Sequence, residues 1–273
     1  MNIALKSLQL KAKKDVYTHL SGNHLSKLFG EGYDFTQLRE YQIGDDIRKI
    51  NWITTAKLGK PYIKEFHSNR ELSVVVCAMI DGGLYFGEGN DKQKRVTEVA
   101  TMLSYATTIN SDLFMGVAYT QNSIYSTSPT KQIYHIEEFS KYIYDYPTLG
   151  TNLDYNISIQ NLFQRVHNPS LIFVVGDFLE DVDLSILAQK HEVIAIIIRD
   201  RVEDKPHILG EVTLTSSKSN INLDTYFGKK SIDKYITKLK KHDDKLQQHF
   251  LAYGVRWVKI YTDEDVLAKL MLL

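Results

Sequence analysis

The sequence predicts an α/β protein with a doubly wound, mostly parallel sheet, helices on both of its faces, and a small β-rich unit before it. From residue 71 onward, short runs of β-branched and aromatic residues alternate with longer segments of helical spacing. The runs at 73–80, 171–175 and 193–198 are continuously apolar, as expected for strands buried on both faces. Earlier residues are richer in paired charges and turn formers. We therefore divide the chain into an N-terminal unit, residues 1–70, and an α/β domain, residues 71–273.

The predicted elements follow one another in the order that such a sheet requires. The strand at 73–80 leads into a helix at 92–110, where Val96, Val99 and Leu103 recur at spacings of three and four. In the first unit, residues 62–66 alternate between apolar and polar, which predicts a strand. The remaining expectations are strands at 113–119, 123–126, 171–175, 191–198, 212–215 (an edge strand) and 255–260, and helices at 135–144, 152–166, 184–189, 231–253 and from 263 onward.

Composition excludes several classes of function. The chain has 273 residues with 43% hydrophobic content, enough for a sizeable core, and Lys+Arg and Asp+Glu are equal at 33 each. This balance gives no general attraction to nucleic acid, and we expect no nucleic-acid partner. Every apolar run is far shorter than the roughly 20 residues of a membrane-spanning helix. We expect no membrane span and a cytoplasmic location. The single cysteine, Cys77, lies in an apolar run and is predicted to be a buried, unreactive thiol.

The most distinctive segment covers residues 31–66, EGYDFTQLREYQIGDDIRKINWITTAKLGKPYIKEF. It resembles bacterial domain-of-unknown-function family 58, in which a motif like GDDxRxIDWxxSAR leads into a von Willebrand factor A-like domain. The resemblance extends from about residue 21 to the C-terminus and implies a von Willebrand factor A-like fold. Two departures are Asn51, where the family has Asp, and Thr55-Ala56-Lys57, where it has Ser-Ala-Arg. The signature positions are Arg39, Tyr41, Gly44, Asp45, Asp46, Arg48, Asn51, Trp52 and Lys57.

Chemically, the signature combines a turn with charges that can neutralise it. The carboxylates of Asp45 and Asp46 can accept hydrogen bonds from nearby backbone N–H groups, and Arg39 and Arg48 can pair with them. Two interpretations are compatible: an internal network that locks the small unit onto the sheet, and a recognition surface for a protein, since Arg, Trp and Tyr dominate interface hot spots.

Three oxygen-bearing residues are predicted at the carboxyl edge of the sheet, where ligands bind in open α/β folds. Asp81 follows the first strand of the domain, Asp177 follows a central strand, and Thr151 opens a helix. The trio resembles the metal-ion-dependent adhesion site of von Willebrand factor A-like domains, but the two serines of its DxSxS motif are Gly83 and Tyr85 here. Two interpretations stay open: a weakly held, hydrated Mg²⁺, or no cofactor, with carboxylates that pin loops through backbone N–H groups.

The function expected from these features is that of a non-catalytic protein-binding or adaptor protein. The family resemblance implies the partner, because members are commonly encoded beside MoxR-type AAA+ ATPases and are thought to help them in client protein maturation or complex assembly. The alternative is a metal-dependent hydrolase, in which Asp81 and Asp177 hold a metal whose bound water is the nucleophile.

Overall fold

The computed structural model describes residues 2–19, 35–42, 45, 50, 55, 59–66, 71–86, 91–219 and 221–273. The described helices are α1 (Ile3–His19), α2 (Asp91–Ile109), α3 (Ile133–Asp145), α4 (Tyr155–Arg165), α5 (Ser185–Ala188), α6 (Arg201–Asp204), α7 (Lys229–Ala252) and α8 (Val266–Leu270), with a 3₁₀ turn at Gly82–Leu84. The described strands are β1 (Phe35–Glu40), β2 (Tyr62–Phe66), β3 (Ser73–Met79), β4 (Leu113–Tyr119), β5 (Ile124–Ser126), β6 (Leu171–Gly176), β7 (Glu192–Arg199), β8 (Gly210–Thr215), β9 (Asn222–Phe227) and β10 (Arg256–Tyr261).

The central sheet confirms the α/β prediction. Its strand order is β10-β7-β6-β3-β4-β5, and every neighbouring pair is parallel except β4 and β5. Because parallel neighbours need crossovers, the chain covers the sheet with the helices between its strands. The predicted short partner strand at 123–126 forms the antiparallel edge.

Two apolar layers lie on opposite faces of this sheet. Along β3, Val76 faces a core that α1, α2, α3 and α8 share, whereas Cys77 faces a second core with α4, α5 and α7. This alternation follows from the two-residue period of a strand, and it is why the central strands are apolar at every position. Cys77 is fully buried, as predicted, and burial raises the pKa of its thiol far above the usual value.

The order of the strands creates a crevice at one edge of the sheet. From β3 the chain moves outward to β4 and β5, then returns to the other side of β3 to form β6, β7 and β10. The connections after β3 and β6 therefore leave in opposite directions, and the carboxyl ends of these neighbours flank a topological switch point. Asp81 and Asp177 are the acidic residues that follow these two strands.

The start of the chain differs from the β-rich unit expected for residues 1–70. The strand predicted at 62–66 is confirmed as β2, paired antiparallel with β1, but residues 3–19 form the helix α1. It packs on α2 and α3 with Ala12 and Val16 fully buried, and the Gln9 amide donates to Ser140 Oγ at 2.7 Å. Leu5, Gln9, Ala12 and Val16 recur at helical spacing and are its buried positions.

The later part of the chain contains a second hairpin. The edge strand predicted at 212–215 is instead β8 of a separate two-stranded sheet, paired with β9, which the sequence analysis did not predict. The last helix begins at Val266 rather than at 263, because the Asp265 carboxylate caps it and accepts from Ala268 N at 2.8 Å. Among the described residues, each helix is too short or too polar to cross a bilayer.

Candidate functional site at the carboxyl edge of the sheet

Asp81 is a fully buried carboxylate at the start of the loop after β3. Its Oδ1 accepts from Gly83 N at 2.8 Å and so caps the 3₁₀ turn that follows. Burial and the charge of Asp177 raise the pKa of Asp81 above its usual value, and they outweigh the opposing effect of the Lys218 ammonium. Asp81 therefore pins its own loop, as the interpretation without metal expects.

Asp177 lies across the crevice, directly after β6, and is also fully buried. Its Oδ1 accepts from Leu179 N at 3.1 Å and from the Tyr155 hydroxyl at 3.2 Å. Burial alone would raise the pKa of Asp177, but the charges of Lys92 and Lys218 outweigh it and hold this pKa below its usual value. Asp177 is therefore ionised at neutral pH and needs cations beside it.

Lys92, in the first turn of α2, supplies one of these cations from inside the protein. Its side chain is fully buried, and Nζ lies 3.3 Å from Asp177 Oδ2 and 2.8 Å from Glu203 Oε1. The other oxygen of Glu203 accepts from Asp200 N at 2.8 Å in the capping box of α6. The ammonium thus joins the loop after β6 to the short helix after β7.

Lys218 supplies the second cation, and it comes from the turn between β8 and β9. Its Nζ lies 2.7 Å from Asp81 Oδ2 and 2.9 Å from Glu180 Oε1. Burial would lower the pKa of Lys218, but the charges and hydrogen bonds of its acidic neighbours outweigh burial and raise it. Lys218 is therefore a charged ammonium inside the edge, and Asp81 and Asp177 each face one lysine.

The third predicted ligand, Thr151, uses its hydroxyl in a local turn. Its hydroxyl donates to Thr148 O at 2.6 Å, and its own carbonyl accepts from Gly82 N at 2.9 Å. Thr151 thus joins the two loops through its backbone while its side chain closes a local turn. Tyr85, at the second replaced serine position, is 44% exposed. The structure brings Asp81 and Asp177 together, whereas the Thr151 hydroxyl is bonded to Thr148 O and Tyr85 is exposed.

Gly83 explains how closely the two carboxylates approach. A Cβ at this position would lie 2.1 Å from Asp177 Oδ2 and 2.9 Å from Asp81 Oδ1, so a serine cannot be added without displacing Asp177. Glycine at position 83 is therefore part of the arrangement that lets the Asp177 carboxylate reach the loop after β3.

This donor set does not fit a divalent cation. Mg²⁺ needs near-octahedral oxygen donors, whereas the carboxylates here face two ammonium groups and the hydroxyl of Thr151 is bonded to Thr148 O. Within the described ranges, no group of three or more His, Cys, Asp or Glu side chains is arranged to hold a metal. What the edge can do chemically is hold its loops together by internal ion pairs.

The signature of the first unit is described only in part. Asp45 Oδ2 accepts from Gln42 N at 2.8 Å, a bond from a nearby backbone N–H of the kind expected for this carboxylate, and Tyr41 N donates to Pro61 O at 2.8 Å. Arg39 lies in β1 opposite Ile63. The side chain of Arg39 and the predicted residues Gly44, Asp46, Arg48, Asn51, Trp52 and Lys57 lie outside the described residues.

Sequence reasoning missed the cations of the site. The burial of Lys92 could have been predicted, because it shares a helical face with Val96 and Val99 and so occupies a position of the apolar stripe. The burial of Lys218 could not, because a lysine in the polar turn Ser216-Ser217-Lys218-Ser219 is typical of exposed loops.

Comparison with known proteins places the chain among uncharacterised relatives. It is 22% identical to an uncharacterized protein of Mycobacterium bovis and to two of Mycobacterium tuberculosis, over 98% of this chain and 87% of each relative. Two crystal structures are similar to this chain, each over 74% of this chain and 96% of the other chain. One is conserved hypothetical protein BatB from Bacteroides thetaiotaomicron (TM-score 0.44, 8% identity). The other is an aerotolerance-related membrane protein from Bacteroides fragilis with multiple mutations to serines (TM-score 0.43, 7% identity). Residues 37–245, well over half of the chain, match the family described as Protein of unknown function DUF58, and the chain belongs to that family.

Proposed function

We propose that this protein is a non-catalytic adaptor that binds a protein partner, and that the partner is a MoxR-type AAA+ ATPase acting in client protein maturation or complex assembly. The partner class comes from the family, and the non-catalytic role comes from the site. The proposal includes a von Willebrand factor A-like arrangement of the sheet, which the position of Asp81 and Asp177 at the switch point supports. The cytoplasmic location stays a prediction.

One observation carries the non-catalytic role: the acidic groups at the carboxyl edge face ammonium groups of the same chain. Asp177 and Glu203 share Lys92, and Asp81 shares Lys218 with Glu180. A hydrolase of the alternative type needs Asp81 and Asp177 to bind a metal whose water attacks the substrate. Here each carboxylate would first have to give up a buried ion pair, which is costly.

The charge of α7 supports a protein partner rather than nucleic acid. Its seven lysines are interleaved with the three aspartates Asp233, Asp243 and Asp244, and Lys245 lies 2.9 Å from Asp181 of the loop after β6. A nucleic-acid site needs a concentrated basic surface, often with aromatic side chains for base stacking. The interleaved charges of α7 give no such surface.

Direct binding to the purified ATPase tests the proposal. Biolayer interferometry of this chain against a MoxR-type ATPase of the same organism is expected to give saturable, micromolar or tighter binding. Arg48→Ala and Trp52→Ala, in the family signature, are expected to weaken it about tenfold or more, as for interface hot spots. Lys94→Ala, at an exposed position of α2, is the matched control and should bind like the wild type.

Two results would contradict the adaptor. Absence of saturable binding would remove the ATPase as partner. Hydrolysis of a general phosphoester or peptide substrate that requires Mg²⁺ or Mn²⁺ and disappears in Asp177→Ala would replace the adaptor with the metal-dependent hydrolase.

A further inference from the structure

The β8–β9 hairpin gains little support from its own packing. Among the described strands, β8 and β9 pair only with each other, and most of their side chains are exposed, Leu223 to 61%. A two-stranded hairpin of this kind is marginally stable in water unless it packs against another element. Contacts outside the hairpin must therefore hold it in place.

The backbone of the hairpin tip supplies one set of such contacts. Ser217 O accepts from Gly150 N at 2.7 Å, in the loop that leads to α4. The same carbonyl lies 2.2 Å from where a Cβ at Gly82 would stand, and Lys218 Cα lies 2.9 Å from that point. The tip thus sits on the backbone of the loop after β3, and this close approach requires glycine at position 82.

The Lys218 side chain supplies a second set, in addition to the bond from Ser231 Oγ of α7 to Tyr226 O of β9. It is only 19% exposed and reaches past the tip to Asp81 and Glu180, one from each side of the crevice. By contrast, the side chain of Lys245, which pairs with Asp181 of the same loop as Glu180, is 69% exposed. Because Asp81 is fully buried, the ion pair with Lys218 is far less screened by solvent than a surface pair.

We propose that the β8–β9 hairpin is a tethered lid over the crevice between β3 and β6, with Lys218 as the resident cation of Asp81. The lysine gives Asp81 the positive charge that a bound metal ion would otherwise supply. Ser217 O holds the tip against the loop at Gly150. Release of the tip opens the loops at Gly82 and Gly150 while the sheet stays folded. The lid belongs to the isolated chain and does not depend on which partner the chain binds.

Two variants weaken the lid by different chemistry. Lys218→Met removes the ammonium and keeps the length of the side chain. Gly82→Ala keeps Lys218 and instead places a methyl group against Ser217 O. Lys245→Met makes the same change as the first variant in an exposed ion pair and is the matched control.

Amide hydrogen exchange of the isolated chain, followed residue by residue by NMR, reads the opening directly. The Gly150 amide donates to the hairpin tip, whereas the Gly82 amide donates to Thr151 O within the body of the protein. Exchange at Gly150 is expected to accelerate about tenfold or more in Lys218→Met and Gly82→Ala, as for loss of a charge-assisted contact. The amides of β6 should keep their wild-type rates, and Lys245→Met should match the wild type throughout.

Three outcomes would overturn the lid. Unchanged exchange at Gly150 in both variants would show that the tip does not depend on Lys218 or Gly82. Equal acceleration at Gly150 and in β6 would show that the tip opens only with the whole domain. A saturable shift of the Gly83 amide when millimolar Mg²⁺ is added to the wild type would show that a metal, and not Lys218, is the resident cation.

Discussion

Replacement of Lys92 by methionine tests whether the buried ammonium holds the carboxyl edge together. Methionine keeps the unbranched shape of the side chain, so the change removes chiefly the charge. Asp177 and Glu203 would then be buried carboxylates without the cation that they share at 3.3 and 2.8 Å. Breaking a buried pair by removing one partner costs about 3–5 kcal/mol of unfolding free energy.

For a domain of this size, that loss lowers the melting temperature by about 6–20 °C. Lys94→Met, two residues along the same helix, is the control, because Lys94 and Asp91 are both 45% exposed and 3.6 Å apart. Such a pair contributes about 0.5 kcal/mol or less. Urea unfolding at pH 7, followed by circular dichroism, gives the loss of unfolding free energy for Lys92→Met and for Lys94→Met.

The deficit of Lys92→Met should depend on pH in a defined direction. In the wild type, the lowered pKa of Asp177 makes its ionisation stabilising above the pKa of the unfolded chain, about 3.9. Without Lys92, burial raises that pKa, so the variant loses stability as pH rises from about 4 to 7. The deficit is therefore smallest near pH 4 and largest near pH 7. A variant as stable as Lys94→Met at pH 7 would refute the buried-cation reasoning.

Three further predictions concern single positions. Asp81→Asn breaks the ion pair with Lys218 but should lose less than the loss of about 3–5 kcal/mol expected for Lys92→Met in urea unfolding at pH 7, because it removes a buried charge of raised pKa, keeps the acceptor for Gly83 N and leaves Lys218 paired with Glu180; a loss as large as that of Lys92→Met would contradict this. Its stability relative to the wild type should rise with pH, since ionisation of a group with raised pKa is destabilising. Gly83→Ser and Gly83→Ala should each lose about 1–3 kcal/mol, because the added Cβ meets Asp177, and millimolar Mg²⁺ should restore neither. Cys77 should not react with a thiol reagent in the native protein and should react fully in denaturant; rapid native labelling would contradict its burial.

The α/β domain was predictable because its signals are local. The apolar runs that became β3, β6 and β7 are buried on both faces, and a strand in that position must be apolar throughout. The helix α1 was missed because one of its buried positions is Gln9, whose amide satisfies Ser140 and breaks the apolar stripe. A polar residue at a core position can be predicted to be buried only when its hydrogen-bond partner is known.

The candidate site was predictable to the level of its carboxylates and no further. Asp81 and Asp177 follow buried strands, and the topology of parallel sheets brings such residues to one edge. Their partners depend on pairing between distant parts of the chain, because Lys218 reaches the edge only once the β8–β9 hairpin has folded across it. Composition and spacing carry no information on such a contact.

The packing of α1 sets an order of events during synthesis on the ribosome. Gln9 finds its hydrogen-bond partner Ser140 only 131 residues later in the chain. At a translation rate of roughly 5–20 residues per second, the helix waits about 7–26 seconds for that partner to be made. Ala12 and Val16 also pack on α2, which ends at Ile109 and is made before Ser140, so the apolar stripe of α1 is covered only in part until α3 follows. The packing of α1 is thus completed only when α3 has been made, and until then the nascent chain has an unpaired Gln9 amide and a partly covered apolar stripe that chaperones can bind.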